Sequence, residues 1–346
     1  MSWYNTQGPL GDHVLYSRVR YIRNIAKQSF YHLIDPKRSA DATAKLDSIL
    51  TKNGFHSESV APGVSAQILS LAEKQFVTRD FVYSDKPRAL YLNEPCNMIV
   101  SLGGDNYVSI SSVVSGAAIA EARNMAAGAE ELIDREIAFA YLEGIGYLSP
   151  NPADCGSGLE LSACIYLPSL RASGSFSSLA RSLSLIGISL SPIFDGQENA
   201  GDLYVMSYIP HYLSDEGAAT RFFADTLSSL VEKEKARLGI ISKNDDNNIF
   251  DRARRSLGAL VYCAAISERE MLSLISDIRL CLCTCAVNEG DLPSLQTLNY
   301  LSCEGLSASI VASAKEKCLT EKDADKARAA FISSYIEHKK EVKNVK

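Results

Sequence analysis

Arg18 and Arg20 are the first residues whose types and spacing could do chemistry. They stand in Val14-Leu15-Tyr16-Ser17-Arg18-Val19-Arg20-Tyr21-Ile22-Arg23-Asn24. Alternate side chains of an extended chain point the same way, so two guanidiniums could close on a phosphate, with Arg23 nearby. Taken alone, the three arginines read first as solvated surface charge. A second candidate is Gly156-Ser157-Gly158, in the loop that starts at Asn151. Small residues let backbone N–H groups approach an anion, but the lysine of a phosphate-binding loop is absent, and an ordinary loop fits as well. Cys281, Cys283 and Cys285 are separated by single residues and have no second ligand pair, so they read as core cysteines and no metal site is expected. Histidines 13, 32, 56, 211 and 338 are scattered, and none pairs with a nucleophile in a triad-like pattern.

The elements that must position these residues follow from periodicity. The arginine segment is ambiguous, because Leu15, Val19 and Ile22 also fit a helical period. Helical spacing recurs over Ser39–Leu50 and Val64–Phe76, with a Gly/Pro-bearing loop between them. Strands are expected near 88–92, 97–102 and 106–114, with Gly103-Gly104-Asp105-Asn106 as a hairpin turn. An alanine- and glutamate-rich helix is expected over 117–143, ended by Gly144 and Gly146. A strand over 161–168, a helix over 176–186 and strands near 187–194 and 202–209 follow. A long helix from Glu216 should stop near Leu238. The polar run Ser242–Asn248 then marks the boundary between domains 1–241 and 242–346. Beyond it the chain reads as helical, with a frayed charged tail from Glu337.

Composition excludes whole classes. The 346 residues carry 35 Lys+Arg against 41 Asp+Glu, a net charge of −6, so bulk positive charge holds no nucleic acid. At 46% hydrophobic and 22% charged, the chain is too apolar for disorder. No apolar run is long enough to span a membrane. Nine cysteines are an odd number, and the start lacks a basic region followed by an apolar run. Reduced thiols in a cytoplasmic protein are therefore expected.

Taken in order, the segments resemble a known family. Ser17-Arg18-Val19-Arg20-Tyr21-Ile22-Arg23-Asn24 resembles the S-R-[IV]-R-x-x-R-N segment of guanido (phosphagen) kinases, especially the bacterial protein arginine kinases. The run from Gly146 to Glu160 resembles their G-Y-L-T-x-C-P-x-N-x-G-T-G-L-R loop, and Leu167-Pro168 keeps the L-P strand end. Phe250–Gly258 and Ser276–Leu280 resemble landmarks of the bacterial branch's later helices. The resemblance implies an α+β fold: a curved antiparallel sheet flanked by helices, as in the glutamine synthetase-like catalytic domain, plus a C-terminal helical domain. It also implies transfer of the γ-phosphate of MgATP to a guanidinium, which in the bacterial branch belongs to a protein arginine.

Such transfer is mostly positioning and charge stabilisation. Carried over residue by residue, Arg18 and Arg20 match the first two of five phosphate arginines. Gly156, Ser157 and Gly158 match the backbone cradle. The family's N-E-E-D-H-L-R hairpin reads Leu102-Gly103-Gly104-Asp105-Asn106-Tyr107-Val108-Ser109 here, leaving Asp105 as the one acid and placing the hairpin arginine on Val108 or Ser109. The loop cysteine is Asn151, and the arginine after Gly-x-Gly-Leu is Glu160. The fifth arginine aligns with Ser191. Each lost preorganised donor removes about 10²–10³ in rate. A carboxylate about 4 Å from a phosphate charge is repelled by roughly 4 kcal/mol at an effective dielectric near 20. The expectation is a pseudokinase that acts by binding a protein partner or adaptor, nucleotide or phosphoarginine, with a homodimer as one assembly and MgATP bound weakly or not at all. An active kinase with a rebuilt site and a structural subunit of an oligomer are the rival expectations. The branch's phosphoarginine-reading R-D-x-x-R-A motif resembles Lys322-Asp323-Ala324-Asp325-Lys326-Ala327, with lysine at both arginine places. Lys322 and Lys326 share a helix face, but lysine lacks the bidentate fork.

Overall fold

The computed structural model describes residues 2–30, 33, 36–58, 60, 63–85, 87–104, 106–193, 200–210, 215–284, 291–314 and 320–344. Asp105, His32, His211, Cys285 and most of the loop Asp195–Gly201 lie outside them.

In chain order the elements are β1 (Val14–Arg23), α1 (Pro36–Lys52), β2 (Phe55–Glu58), α2 (Ala66–Glu73), α3 (Arg79–Tyr83), β3 (Ala89–Asn93), β4 (Met98–Leu102), β5 (Val108–Ser115) and α4 (Ile119–Asp134). Then come β6 (Tyr141–Leu142), β7 (Gly146–Tyr147), β8 (Leu159–Tyr166), α5 (Pro168–Ala172), α6 (Phe176–Ser184), β9 (Ile188–Pro192), β10 (Leu203–Tyr208), α7 (Glu216–Tyr262), α8 (Glu268–Thr284), α9 (Leu295–Glu304), α10 (Ser307–Ser313) and α11 (Glu321–Asn344). Eight strands form one antiparallel sheet in the order β2-β3-β4-β5-β1-β8-β10-β9, and β6-β7 is a separate hairpin. The arginine segment is thus a strand, at the centre of the sheet. Its β-branched and aromatic residues pack on both faces, so sheet burial overrides the helical spacing.

One sheet face packs on α1, α4, α6 and the first half of α7. In α4, Ile119, Ala122, Ala126, Ala129 and Ile133 recur at spacings of three and four, and the alanines let its backbone lie close to the sheet. That helix ends at Asp134, not at Gly144. Gly144 and Gly146, both at positive φ, instead shape the β6-β7 hairpin. Gly146 also needs its bare backbone, because a Cβ there would sit 2.4 Å from the Gly156 carbonyl oxygen. The other face carries α2, α3 and the N-terminal Trp3 and Tyr4. A short strand, β2, interrupts the loop expected after α1.

The C-terminal helices enclose their own core around Met271, Leu272, Ile275, Ile278, Leu298, Leu301 and Ile332. The helix from Glu216 does not stop at Leu238. It runs unbroken through the polar stretch 242–248 to Tyr262. Asp215 starts it by accepting from Gly217 N at 2.6 Å and Ala218 N at 3.1 Å. Its early residues Phe223, Leu227 and Val231 belong to the sheet core, and Ile249, Ala253 and Leu260 to the C-terminal core. The polar residues have no apolar stripe, but neighbouring turns with good helix formers on both sides carry the helix across them. The charged tail is helical as far as Asn344. Arg252 and Ser256 reach Asp277 at 3.1 and 2.8 Å, tying α7 to α8.

Side-chain hydrogen bonds and an ion pair join the two cores among the described residues. The Glu73 carboxylate accepts from Ala308 N at 2.9 Å and Ser309 N at 3.0 Å. Lys74 pairs with Glu304 at 3.0 Å, and Tyr4 Oη donates to the same carboxylate at 2.9 Å. Tyr166 Oη donates to the Ser276 carbonyl at 2.9 Å. Within the C-terminal core, Arg328 is 1% exposed. It donates to the carbonyls of Gly305 and Ile266, both at 2.7 Å, to Asp325 at 2.5 Å and to Ser307 Oγ at 2.9 Å. Arg328→Ala strands these acceptors and leaves a cavity, so it should destabilise the protein by roughly 3–5 kcal/mol. Urea unfolding at neutral pH measures it; a change below about 1 kcal/mol contradicts this role.

Candidate functional site

The pairing of β1 with β8 sets the site. Arg18 lies opposite Ser162, and Arg20 opposite Glu160. Directly opposed residues share a sheet face, so Arg18, Arg20, Ser162 and Glu160 all point to the face away from α4. Arg20 Nη1 lies 3.0 Å from Glu160 Oε2, and Arg18 Nη2 lies 3.5 Å from Oε1. Arg18 also donates from Nε to Ser162 Oγ at 3.1 Å and from Nη1 to Gln75 Oε1 at 3.3 Å. The carboxylate bridges the two guanidiniums. All three side chains are largely buried, at 9%, 11% and 17% exposed for Arg18, Arg20 and Glu160.

Arg23 does not join the clamp. It stands at an odd offset from Arg18, so it faces the other way. It is 1% exposed, pairs with Glu130 at 2.8 Å, and lies 3.5 Å over the Tyr147 ring. Its Nη1 donates to the Ser157 carbonyl at 3.1 Å. Arg23 is therefore a fastener for the Gly156–Gly158 loop. In that loop Gly156 exchanges backbone hydrogen bonds with Tyr147 at 2.7 and 3.1 Å. A Cβ on Gly158, whose φ is +56°, would meet Arg23 Nη1 at 2.6 Å. Gly156, Ser157 and Gly158 thus pack against Arg23 and Tyr147, and the Gly156 N–H already has an acceptor.

Two cavities meet at Arg20. The smaller, about 140 Å³, is lined by Asp80, Ser101, Gly103, Gly104, Asn106, Ser109 and Asp154 among others. β4 and β5 pair antiparallel on either side of the turn expected at 103–106, of which Asp105 lies outside the described residues, and Gly103 N donates to the Tyr107 carbonyl at 3.1 Å. Of the two positions open to the hairpin arginine, Ser109 lines this cavity, while Val108 is fully buried in the opposite core. Asn24 fixes the wall: its Nδ2 donates to Asn106 Oδ1 at 2.8 Å and to the Leu148 carbonyl at 2.9 Å, and its Oδ1 accepts from Tyr107 N at 3.0 Å. Asn151 Nδ2 donates to Asp154 Oδ2 at 3.1 Å. Cys155 Sγ accepts from Ser149 N at 3.3 Å.

The larger cavity, about 940 Å³, opens over Arg18 and Arg20. Leu69, Ala72, Val77 and Val82 wall one side, and Ser191, Pro192, Ile193 and Val205 the other. Glu268, Ser307, Ala308 and Val311 close it from the C-terminal helices. Ser191 is exposed at the β9 edge. Lys322, Asp323 and Lys326 lie elsewhere, exposed on the first two turns of α11, where Asp323 Oδ2 accepts from Thr320 Oγ1 at 2.5 Å. Buried Arg328, one turn on, works on backbone carbonyls instead. Among the described residues no His/Cys/Asp/Glu group could hold a metal. Cys281 is buried, in keeping with a core cysteine.

The sequence pointed to Arg18, Arg20 and Glu160 but not to their pairing, because strand register is not readable from one strand. Asp80 and Gln75 were missed. Gln75, at φ +65°, ends α2 in the left-handed region and aims its side chain at Arg18. A helix stop without glycine was the available signal.

Burial works to raise the Glu160 carboxyl, and Arg20 and then Arg18 outweigh it, holding the group below its ordinary value. The stabilisation from this ionised form is therefore complete above the unfolded pKa of about 4.3, and is lost as pH falls through the lower folded value. Glu160→Gln leaves two buried guanidiniums without a counter-charge. It should destabilise by up to roughly 3–5 kcal/mol at pH 7, with the gap to the unaltered protein closing in acid. Urea midpoints at pH 7 and pH 3 test this; a gap independent of pH contradicts it.

The family model described as "ATP:guanido phosphotransferase, C-terminal catalytic domain" matches residues 43–237. The "Protein-arginine kinase McsB C-terminal domain" matches residues 246–346. The chain is 25% identical to the protein-arginine kinase of Halothermothrix orenii, over 80% of this chain and 81% of that one. It is 26% identical to that of Bacillus cereus, over 80% of each. In fold it resembles the duplicated taurocyamine kinase of Schistosoma mansoni with bound transition-state analogue components, with a TM-score of 0.57 and 17% identity. That match covers 68% of this chain and 34% of the other, so the chain spans about a third of that protein. Lombricine kinase gives a TM-score of 0.56 at 16% identity, over 67% of this chain and 68% of the other. These matches cover both cores, and the chain belongs to the guanido kinase family, in its protein-arginine kinase branch.

Proposed function

We propose that this chain is a pseudokinase of the family, with phosphoryl transfer lost or nearly so, acting by binding a protein partner. The observation that carries the reading is Glu160 bridging Arg18 and Arg20 at 3.5 and 3.0 Å. A transferring γ-phosphate needs concentrated positive charge. Here the carboxylate cancels half of what Arg18 and Arg20 supply, and Ser109 and Ser191 stand where two further arginines are expected. Asp105, the acid of the hairpin, lies outside the described residues. Any MgATP bound in the large cavity would meet Glu160 at its phosphates. The free thiols of Cys96, Cys155, Cys164, Cys263, Cys281, Cys283 and Cys303 support a reducing, cytoplasmic setting. Among the described residues no helix is long and apolar enough to cross a membrane.

Incubation with MgATP and arginine-rich protein substrates, read by mass spectrometry under conditions that preserve phosphoarginine, tests the proposal. The expected rate is below roughly 10⁻³ of that of an active relative in the same assay, from the loss of more than one donor. A comparable rate overturns it.

A second reading, an active enzyme with a rebuilt acceptor site, is favoured by Asp80 and Asp154 lining the small cavity beside Arg20. Two carboxylates there could orient a guanidinium and take its proton. On that reading phosphoarginine forms, and Asp80→Asn lowers its rate by roughly 10²-fold or more. Turnover unaffected by Asp80→Asn removes this reading.

A further inference from the structure

Each edge of an open sheet is a row of backbone donors and acceptors that another strand can take up. The edges of this sheet are β2 and β9. β2 is guarded by charge: His56 and Glu58 stand 3.6 Å apart on it, both close to half exposed. β9, Ile188-Ser189-Leu190-Ser191-Pro192, carries no charge. Its Ile188 and Leu190 side chains belong to the sheet core, and Ser189 and Ser191 are exposed on the opposite face, where Ser191 lines the large cavity.

The register of β9 on β10 shows which of its backbone groups are open. Ile193 N donates to the Leu203 carbonyl at 3.2 Å, one step beyond the pairing of Pro192 with Tyr204. Hydrogen-bonded and non-hydrogen-bonded pairs alternate along an antiparallel ladder. Ser191 and Ser189 therefore also bond inward to β10, while Ile188, Leu190 and Pro192 turn their backbone groups outward. Among the described residues no strand takes them. Proline is tolerated at such an outward position, where the ladder needs no N–H from it. The open edge offers the N–H groups of Ile188 and Leu190 and the carbonyls of Ile188, Leu190 and Pro192.

This row is complementary to itself. A two-fold axis through Leu190, perpendicular to the sheet, sets Leu190 opposite the partner's Leu190 and Ile188 opposite the partner's Pro192. Each Leu190 N–H then meets the carbonyl of the partner's Leu190. Each Ile188 N–H meets the carbonyl of the partner's Pro192, so every open N–H is satisfied. Serine meets serine on one face of the seam and apolar side chains meet on the other, because the strand reads nearly alike in both directions. The seam carries no charge, so two copies meet without repulsion. Leu185 and Ile186, 83% and 47% exposed at the entrance to β9, are carried to the apolar end of the partner's strand.

We infer that β9 pairs with β9 of a second copy of this chain about a two-fold axis at Leu190, joining the two sheets edge to edge. The large cavities of the two copies then open on the same face of the joined sheet, because the axis is perpendicular to it. The strand is about 17 Å long, and the α6 layer lies roughly 10 Å from it, which gives a contact of a few hundred Å² per copy. A standard interface uses roughly 800 Å² per partner, so this dimer is weak and reversible.

Sedimentation velocity of the full-length chain tests this. Association should appear with rising concentration, within roughly 10–300 µM. Ser189 lies opposite the partner's Ser191, so Ser189→Lys with Ser191→Lys sets lysine against lysine twice and should weaken association by about tenfold or more. Ser189→Glu with Ser191→Glu should do the same. An equimolar mixture of the lysine and glutamate proteins should regain association, because only this antiparallel register sets the opposite charges face to face. Both positions are exposed, and far-UV circular dichroism checks that the variants are folded. A chain still monomeric at about 300 µM overturns the inference. So does undiminished association of either folded variant, the result expected of a dimer built on the C-terminal helices, and so does a mixture that stays monomeric. None of these readouts involves phosphoryl transfer, so they stand apart from the pseudokinase reading.

Discussion

Two guanidiniums forced side by side into a sheet face need an anion between them. Everything at the centre of this protein answers to that constraint. Arg18 and Arg20 alternate along β1, so their side chains emerge together. Like charges that close, largely withdrawn from water, repel strongly unless a counter-charge is present. Elsewhere a ligand could supply it for part of the time. Here β8 supplies it permanently, because its register sets Glu160 opposite Arg20. The neighbouring strands contribute small polar residues at the same level: Ser111 opposite Arg20, Ser162 opposite Arg18, and Ser207 opposite Ser162. The floor is therefore polar and internally neutralised to a single charge, a different electrostatic object from the arginine cluster that the family pattern describes.

The rest of the architecture holds that floor in place. Asn24 joins the β4-β5 turn to the chain at Leu148, so hairpin and loop move as one wall. Arg23 pins the glycine-rich loop from the opposite face. Gln75 ends α2 and steadies Arg18, while the adjacent Glu73 and Lys74 reach α10 and Glu304. Three consecutive residues thus link the arginine pair, through Gln75, to the C-terminal helices, through Glu73 and Lys74. Between them, Gln75 holds a left-handed backbone conformation, with φ at +65°.

Much of this was legible in the sequence, and the failures share a cause. The hairpin at 103–106 and the strands around it follow from alternation and turn residues, which are local signals. So do the helices of the C-terminal half. Whether Leu15, Val19 and Ile22 lie on a helix or a strand depended on pairing with β5 and β8, which are distant in sequence. The end of α4 was misplaced because glycine signals attributed to that helix belong to the next hairpin. The polar run at 242–248 resembles a linker in composition, yet a helix needs only satisfied backbone hydrogen bonds to pass through it. At the site, residue types were readable, since Glu160 stands where an arginine is expected. Its partners were not, because cross-strand register is set by the whole sheet. Asp80 carried no signal at all: its approach to Gly104, whose Cβ would lie 2.7 Å from Asp80 Oδ2, exists only in three dimensions.

The continuous helix α7 has a consequence for how this chain can be divided. At 47 residues it is about 70 Å long, and each of its halves is built into a different core. A gene fission, a protease or a crossover acting in the polar run would not release two finished pieces. Each fragment would keep half a helix with a new terminus of unsatisfied amides or carbonyls. The stretch that most resembles a seam is a shared beam, built into both cores at once.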